Sequence, residues 1–92
     1  MTQVTLKFTG DVWSRMKTFH MTFAFEGKTL REMLKALFQQ YNVRDLVLDE
    51  NDRIIPWSRI IVNGRFSEFA GDLNAPLHTG DEVTLIHPFF VM

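Results

Sequence analysis

Alternating apolar and polar residues near the N-terminus predict two β-strands. In the first strand, the apolar residues Val4, Leu6 and Phe8 are separated by polar ones, and Gly10 ends the pattern. The alternating apolar residues of the second strand are Phe19, Met21, Phe23 and Phe25. The segment between them, DVWSRMKT, is long for a hairpin turn. We expect it either to extend the two strands or to form a mobile loop.

The strongest helical pattern follows at residues 30–41. Thr29 is a good N-cap, and Glu32 stands three residues later, where a capping box requires it. Apolar residues then recur at intervals of three and four positions, at Leu30, Met33, Leu34, Leu37, Phe38 and Tyr41. This spacing predicts an amphipathic helix whose apolar stripe, including Leu34 and Leu37, is buried.

A hairpin is predicted in the second half of the chain. After a polar turn at 49–52, the apolar run at 60–62 indicates a third strand. Asn63-Gly64 comes next, and this dipeptide is the strongest short-range hairpin signal. Residues 65–69 are therefore expected to return as a short fourth strand.

The last predicted strand covers residues 82–86, after a single helical turn at 72–77 and before Pro88. The first and last strands both carry compact apolar faces, as neighbours at the centre of a sheet do. One helix packed on a mixed sheet of four or five strands is the natural layered arrangement for a chain of this size. We therefore expect residues 1–92 to form a single α+β domain with the β-grasp, or ubiquitin-like, fold.

The cysteine content and the net charge of the chain exclude several classes of function. The 92 residues include no cysteine and carry a net charge of −1. The lack of cysteine excludes a disulfide scaffold, a thiol nucleophile and a cysteine-ligated cluster. Because basic and acidic residues are nearly equal in number, we expect no positively charged surface that would attract nucleic acid or anionic lipid. Neither is therefore expected as a partner. No apolar run approaches the roughly 20 residues that cross a bilayer, and the N-terminus does not resemble a signal peptide, so we expect a cytoplasmic location.

Residues that could carry chemistry are scattered along the chain. His20, His78 and His87 lack the spacing of metal ligands, so no metal or other cofactor is expected. The acidic run at 49–52 has the start of a calcium loop, but Arg53 occupies the next ligand position and indicates a solvated turn. No serine lies in a nucleophile-elbow context. We therefore expect that the chain is not an enzyme.

Three stretches resemble the MoaD-like and ThiS-like group of ubiquitin-like sulfur carriers. They are FAFEGKTLREMLKAL, IIVNGR and APLHTGDEVTLIHPF, and the resemblance covers nearly the whole chain. MoaD-type members are small subunits of molybdopterin synthase, and ThiS-type members carry sulfur for thiamine synthesis. The resemblance implies a larger protein partner, either an activating enzyme or a synthase-type subunit.

The C-terminal residues depart from the pattern of that family. Its members end in two glycines, whose carboxylate is adenylated and converted to a thiocarboxylate, whereas Val91 and Met92 are the last residues here. Glycine has no side chain to clash in a narrow tunnel, and valine is β-branched. We therefore expect either a divergent member, resembling the molybdopterin synthase subunit, that is not activated at Met92, or a natural tail that extends beyond Met92. A noncovalent β-grasp interaction module or regulatory subunit is the alternative.

By the same resemblance, Phe66 and Ile86 match an apolar surface through which family members meet their enzymes. We expect these two side chains to lie beside each other on the sheet, although scattered exposed hydrophobic residues are an equally ordinary interpretation. The expected binding surface continues through the C-terminal residues Pro88, Phe89, Phe90, Val91 and Met92. These either insert into a partner or fold back onto the protein's own sheet edge. A patch of this kind would support weak self-association.

Overall fold

A computed structural model describes residues 1–87 of the chain. Its strands are β1 (Thr2–Thr9), β2 (His20–Phe25), β3 (Arg59–Val62), β4 (Arg65–Phe66) and β5 (Glu82–His87). Its helices are α1 (Gly10–Met16) and α2 (Leu30–Gln40), with short 3-10 turns at Arg44–Leu46, Ser67–Phe69 and Asp72–Asn74. The five strands form one mixed sheet in the order β2-β1-β5-β3-β4. This arrangement confirms the predicted sheet and its single main helix.

The first and last strands lie side by side at the centre of the sheet, as predicted. They run parallel, with Leu6 opposite Val83 and Phe8 opposite Leu85, and all four side chains are buried. The other strand pairs are antiparallel. Because side chains alternate between the two faces of a strand, the apolar residues of β1 and β5 share the inner face of the sheet, which α2 covers.

The predicted capping box begins α2. The hydroxyl of Thr29 accepts a hydrogen bond from the Glu32 backbone N–H at 3.3 Å, and the Glu32 carboxylate accepts one from the Lys28 backbone N–H at 3.0 Å. These bonds satisfy backbone donors that the first turn of a helix leaves unpaired. On the apolar stripe of the helix, Leu34 and Leu37 are both buried, which confirms the prediction for these residues.

The segment 11–18 differs from the prediction, because most of it belongs to α1. Gly10 begins the helix with a positive φ of 63°, a conformation that glycine adopts without strain. Lys17 ends it with a φ of 61°, and the Lys17 N–H donates to the carbonyl of Trp13 at 2.8 Å. Val12 is the residue of this helix that is fully buried in the core. Trp13 and Met16 pack against the same core while staying partly exposed. These three apolar residues span little more than one helical turn, which is too short to distinguish a helix from a loop, so neither predicted interpretation of the segment was right.

The hairpin forms at Asn63-Gly64 as predicted, but its second strand is shorter than expected. Asn63 and Gly64 both have positive φ, 50° and 84°, as a tight hairpin turn of this type requires. β4 then contains only Arg65 and Phe66, and the chain turns into the 3-10 helix Ser67–Phe69. The predicted strand over 65–69 is therefore correct only for its first two residues.

Candidate protein-docking face

The outer face of the sheet has no helix packed against it and presents a row of side chains across four strands. Strand pairing places Lys7 opposite Thr84, Thr84 opposite Ile61, and Ile61 opposite Phe66. Directly paired residues project from the same face of a sheet. The row therefore changes from polar at β1 to apolar at β3 and β4, where the Phe66 side chain is 42% exposed.

Ile86 lies on this outer face in the adjacent row, between Thr9 of β1 and Arg59 of β3. Phe66 and Ile86 thus share a face, but they are not neighbours, because β3 runs between them. Ile61 fills the gap, and both isoleucines are partly exposed. We call Ile61, Phe66 and Ile86 the apolar patch. The predicted adjacency was wrong because a two-residue β4 pairs only with β3, a detail of register that the sequence does not reveal.

Charged groups border the apolar patch. Lys7 and Glu82 form an exposed ion pair at 3.2 Å on the β1–β5 side. At the opposite end of the patch, the Arg59 guanidinium donates to the carbonyls of Pro56 at 2.6 Å and Ser58 at 2.8 Å. Those bonds hold the cation at the margin of the patch without neutralising it. A partner surface with an apolar centre and an acidic margin would complement this arrangement.

A buried histidine joins three segments where β5 ends. The His87 side chain is only 4% exposed, and its Nε2 accepts a hydrogen bond from the Trp57 indole N–H at 3.1 Å. Its Nδ1 lies 3.2 Å from a carboxylate oxygen of Asp11 in α1. Since an indole nitrogen can only donate, the ring proton of neutral His87 resides on Nδ1, facing Asp11. These contacts position the residue that directly precedes Pro88 in the chain.

Sequence reasoning placed His87 among scattered histidines and missed this arrangement. The alternation of β5 would have predicted that His87 is buried, because Val83 and Leu85 point inward and His87 occupies the next inward position. Pro88, Phe89, Phe90, Val91 and Met92, the other predicted binding residues, lie outside the described residues.

The turn before β5 is held by a carboxylate and an amide. The Asp81 carboxylate accepts the His78 backbone N–H at 2.8 Å, and the Asn63 side-chain oxygen accepts the Glu82 N–H at 2.9 Å. Partial burial raises the pKa of Asp81, but the hydrogen bonds from the His78 backbone and the Asn63 side chain outweigh it and hold that pKa below its usual value. These hydrogen bonds connect the hairpin turn to the start of β5.

A second aromatic contact lies at the start of β2. Phe19 was predicted within this strand, but it precedes the first strand residue, His20, and is 62% exposed. Its ring stacks on Trp13 of α1, with the centroids 4.7 Å apart. The ring therefore covers α1 and does not enter the core.

Residues 1–87 contain no cluster of three or more histidine and acidic side chains that could hold a metal ion. His20 is exposed on β2, and His78 lies 3.8 Å from Asp81 in a turn, far from the buried His87. Within the same range, neither helix has the length and apolar character needed to span a bilayer.

The amino-acid sequence of the chain matches one known protein family. Residues 20–89 match the family model described as the ThiS family. No curated protein matches the chain in sequence.

Solved structures share the fold over nearly the whole chain. H. volcanii small archaeal modifier protein 1 has a TM-score of 0.81 at 18% identity, covering 96% of this chain and 99% of that one. Urm1 from Trypanosoma brucei has a TM-score of 0.80 at 21% identity, covering 99% and 96%. The putative molybdopterin converting factor, subunit 1, from Pyrococcus furiosus has a TM-score of 0.72 at 18% identity, covering 96% and 99%. These similarities confirm the predicted β-grasp, ubiquitin-like fold.

Proposed function

The chain belongs to the ThiS family, and on that premise we propose that it is a small sulfur-carrier-like protein that acts by docking on a larger enzyme. Its role is that of a carrier or subunit and not of a catalyst, and it works in the cytoplasm. The similar fold of a molybdopterin converting factor subunit supports a place in pterin cofactor synthesis.

The observation that carries this proposal is the apolar patch on the outer face of the sheet. Ile61, Phe66 and Ile86 leave apolar surface exposed on a face that no other element of the described chain covers. Exposed apolar surface with a polar border is the usual mark of a protein-binding site. Residues 88–92 are included in the proposed docking surface because they directly follow β5, the strand that carries Ile86 of the apolar patch.

Docking is tested by substitution on two strands of the same face. The probes are the adenylating activating enzyme and the synthase-type large subunit encoded in the same genome, each titrated calorimetrically. Ile86→Asp places a charge in the apolar patch and is expected to weaken binding at least tenfold, because the carboxylate must lose its water on docking. Thr22→Asp, an exposed position on the edge strand β2, is the matched control and should leave the affinity within about twofold.

Both variants should keep the fold, since neither position belongs to the core. Equal affinities for the two variants would refute docking through the apolar patch. Loss of folding in Ile86→Asp alone would show that this residue supports the core, which contradicts its assignment to the outer face.

The covalent part of the proposed role is tested separately by mass spectrometry. The 92-residue chain is incubated with the activating enzyme, ATP and a sulfur donor. We expect no replacement of a carboxylate oxygen by sulfur, because Val91 and Met92 are bulkier than two glycines. The double change Val91→Gly and Met92→Gly should permit the exchange. Conversion of the unaltered chain would establish an active sulfur carrier, whereas docking without conversion in either form would favour the noncovalent module.

A further inference from the structure

A groove runs along one flank of α2, on the side of the protein away from the outer sheet face. It encloses about 410 Å³, within the range of sites that bind small ligands or peptide side chains. Its apolar floor is formed by Leu34 and Phe38 of α2, Leu48 of the following loop, and Leu73 of a 3-10 turn. The leucines belong to the core, and Phe38 is partly exposed beside them. We call this feature the α2 groove.

Two cations border the floor on the helix side. Arg31 and Lys35 are one helical turn apart, so they project along the same flank of α2. Both are exposed, and neither forms an ion pair with any carboxylate in residues 1–87. These two positive charges are therefore available to a ligand in the α2 groove.

The opposite border holds one carboxylate that is already engaged. Asp52 pairs with the Arg44 guanidinium, which also donates to the Asp49 carbonyl at 2.9 Å. Arg44 and Asp52 cancel each other's charge, so the α2 groove retains the positive charge of Arg31 and Lys35. A ligand with carboxylates beside apolar side chains would match both the border and the floor.

From this complementarity we propose that the α2 groove binds a short acidic peptide segment of a partner protein. Its leucine or phenylalanine side chains pack on Phe38, the partly exposed residue of the apolar floor, and its carboxylates pair with Arg31 and Lys35. Because α2 covers the inner face of the sheet, such a segment leaves the apolar patch free. This second site can therefore be occupied while a different protein is docked on the outer face.

The test is an NMR titration of the isotope-labelled protein with the blocked peptide EDLFELD. We expect saturable amide shifts confined to α2, the loop at 44–52 and the turn at 72–74. Two peptides serve as ligand controls: KKLFKLK, which reverses the charges, and EDAAEAD, which removes the apolar side chains. Neither should bind with more than about a tenth of the affinity of EDLFELD.

The protein variants change exposed cations only. The double change Arg31→Glu and Lys35→Glu should weaken EDLFELD about tenfold, because two exposed attractions become repulsions. The matched pair, Lys17→Glu and Lys28→Glu, alters the net charge equally at exposed positions outside the α2 groove and should leave affinity within about twofold. Retained dispersion of the amide spectrum shows that each variant is folded.

The proposal is overturned if EDLFELD gives no saturable shifts, if the shifts map to the outer face, or if both double variants bind alike. Shifts at the α2 groove that appear on concentrating the protein without peptide would identify a second copy of the chain as the occupant, which also contradicts a partner segment. Docking on the apolar patch is tested with different probes and with the Ile86→Asp variant, so failure of one proposal is distinguishable from failure of the other.

Discussion

Replacing Leu37 by alanine tests the packing of α2 on the sheet. Leu37 is 0% exposed and lies within the hydrophobic core that joins α2 to the inner face. The change removes buried carbon atoms from a site that is enclosed on all sides. The protein therefore loses the hydrophobic transfer free energy of those atoms and also bears the cost of the cavity that they leave. Such substitutions cost about 2–5 kcal/mol of unfolding free energy. Against a total stability of roughly 5–15 kcal/mol for a small domain, that is a large fraction.

Urea denaturation followed by far-ultraviolet circular dichroism measures this loss. We expect a lower midpoint with an unchanged slope, because the same surface is exposed on unfolding. The melting temperature should fall by about 4–8 °C for each kcal/mol lost. Gln39→Ala, an exposed position on the same helix, is the control and should change stability by less than about 0.5 kcal/mol. A Leu37→Ala variant as stable as this control would refute the assignment of the buried helical face.

Two further substitutions test the contact between Trp57 and the buried His87 and the capping box at the start of α2. Trp57→Phe keeps an aromatic ring but removes the indole donor to Nε2 of the buried His87, so we expect a loss of about 1–3 kcal/mol in urea denaturation; unchanged stability would show that this bond contributes nothing. The Lys28 backbone N–H and the Thr29 hydroxyl hold the pKa of Glu32 below its usual value. Stabilisation by the Glu32 carboxylate is therefore complete above about pH 4.3 and is lost as the pH falls through the lowered pKa. Glu32→Gln should accordingly be less stable than the original protein near neutral pH, and this difference should shrink as the pH falls through the lowered pKa of Glu32. A stability difference that does not change on acidification would contradict the lowered pKa.

Local signals explain which elements could be predicted from the sequence. The start of α2 is encoded by residues within one turn, Thr29 and Glu32, and its buried face by regular spacing. The hairpin at Asn63-Gly64 depends on two residues whose positive φ values the turn itself requires. The central pairing of β1 with β5 could be inferred because strands with compact apolar faces are buried most completely at the centre of a sheet.

The errors arise where long-range packing decides the outcome. α1 has seven residues and no side-chain cap at its start, and its core-facing residues Val12 and Met16 span a single turn, so neither periodicity nor capping identified it. The positions of Phe66 and Ile86 were assigned to the right face, but the interposed β3 depends on strand register. His87 could have been placed in the core by alternation alone, whereas its contact with Asp11 depends on the unforeseen helix.

The position of β5 has a consequence for protein synthesis. Residues 82–87 are translated after the other four strands, yet they fill the centre of the sheet between β1 and β3. Before β5 is made, β1 and β2 can pair as one hairpin and β3 and β4 as another, but no strand pairing joins the two hairpins. Small sheets of this kind need a shared apolar face for independent stability. The sheet therefore closes only after β5 has left the ribosome, and until then both hairpins expose open edges to chaperones and to other nascent chains.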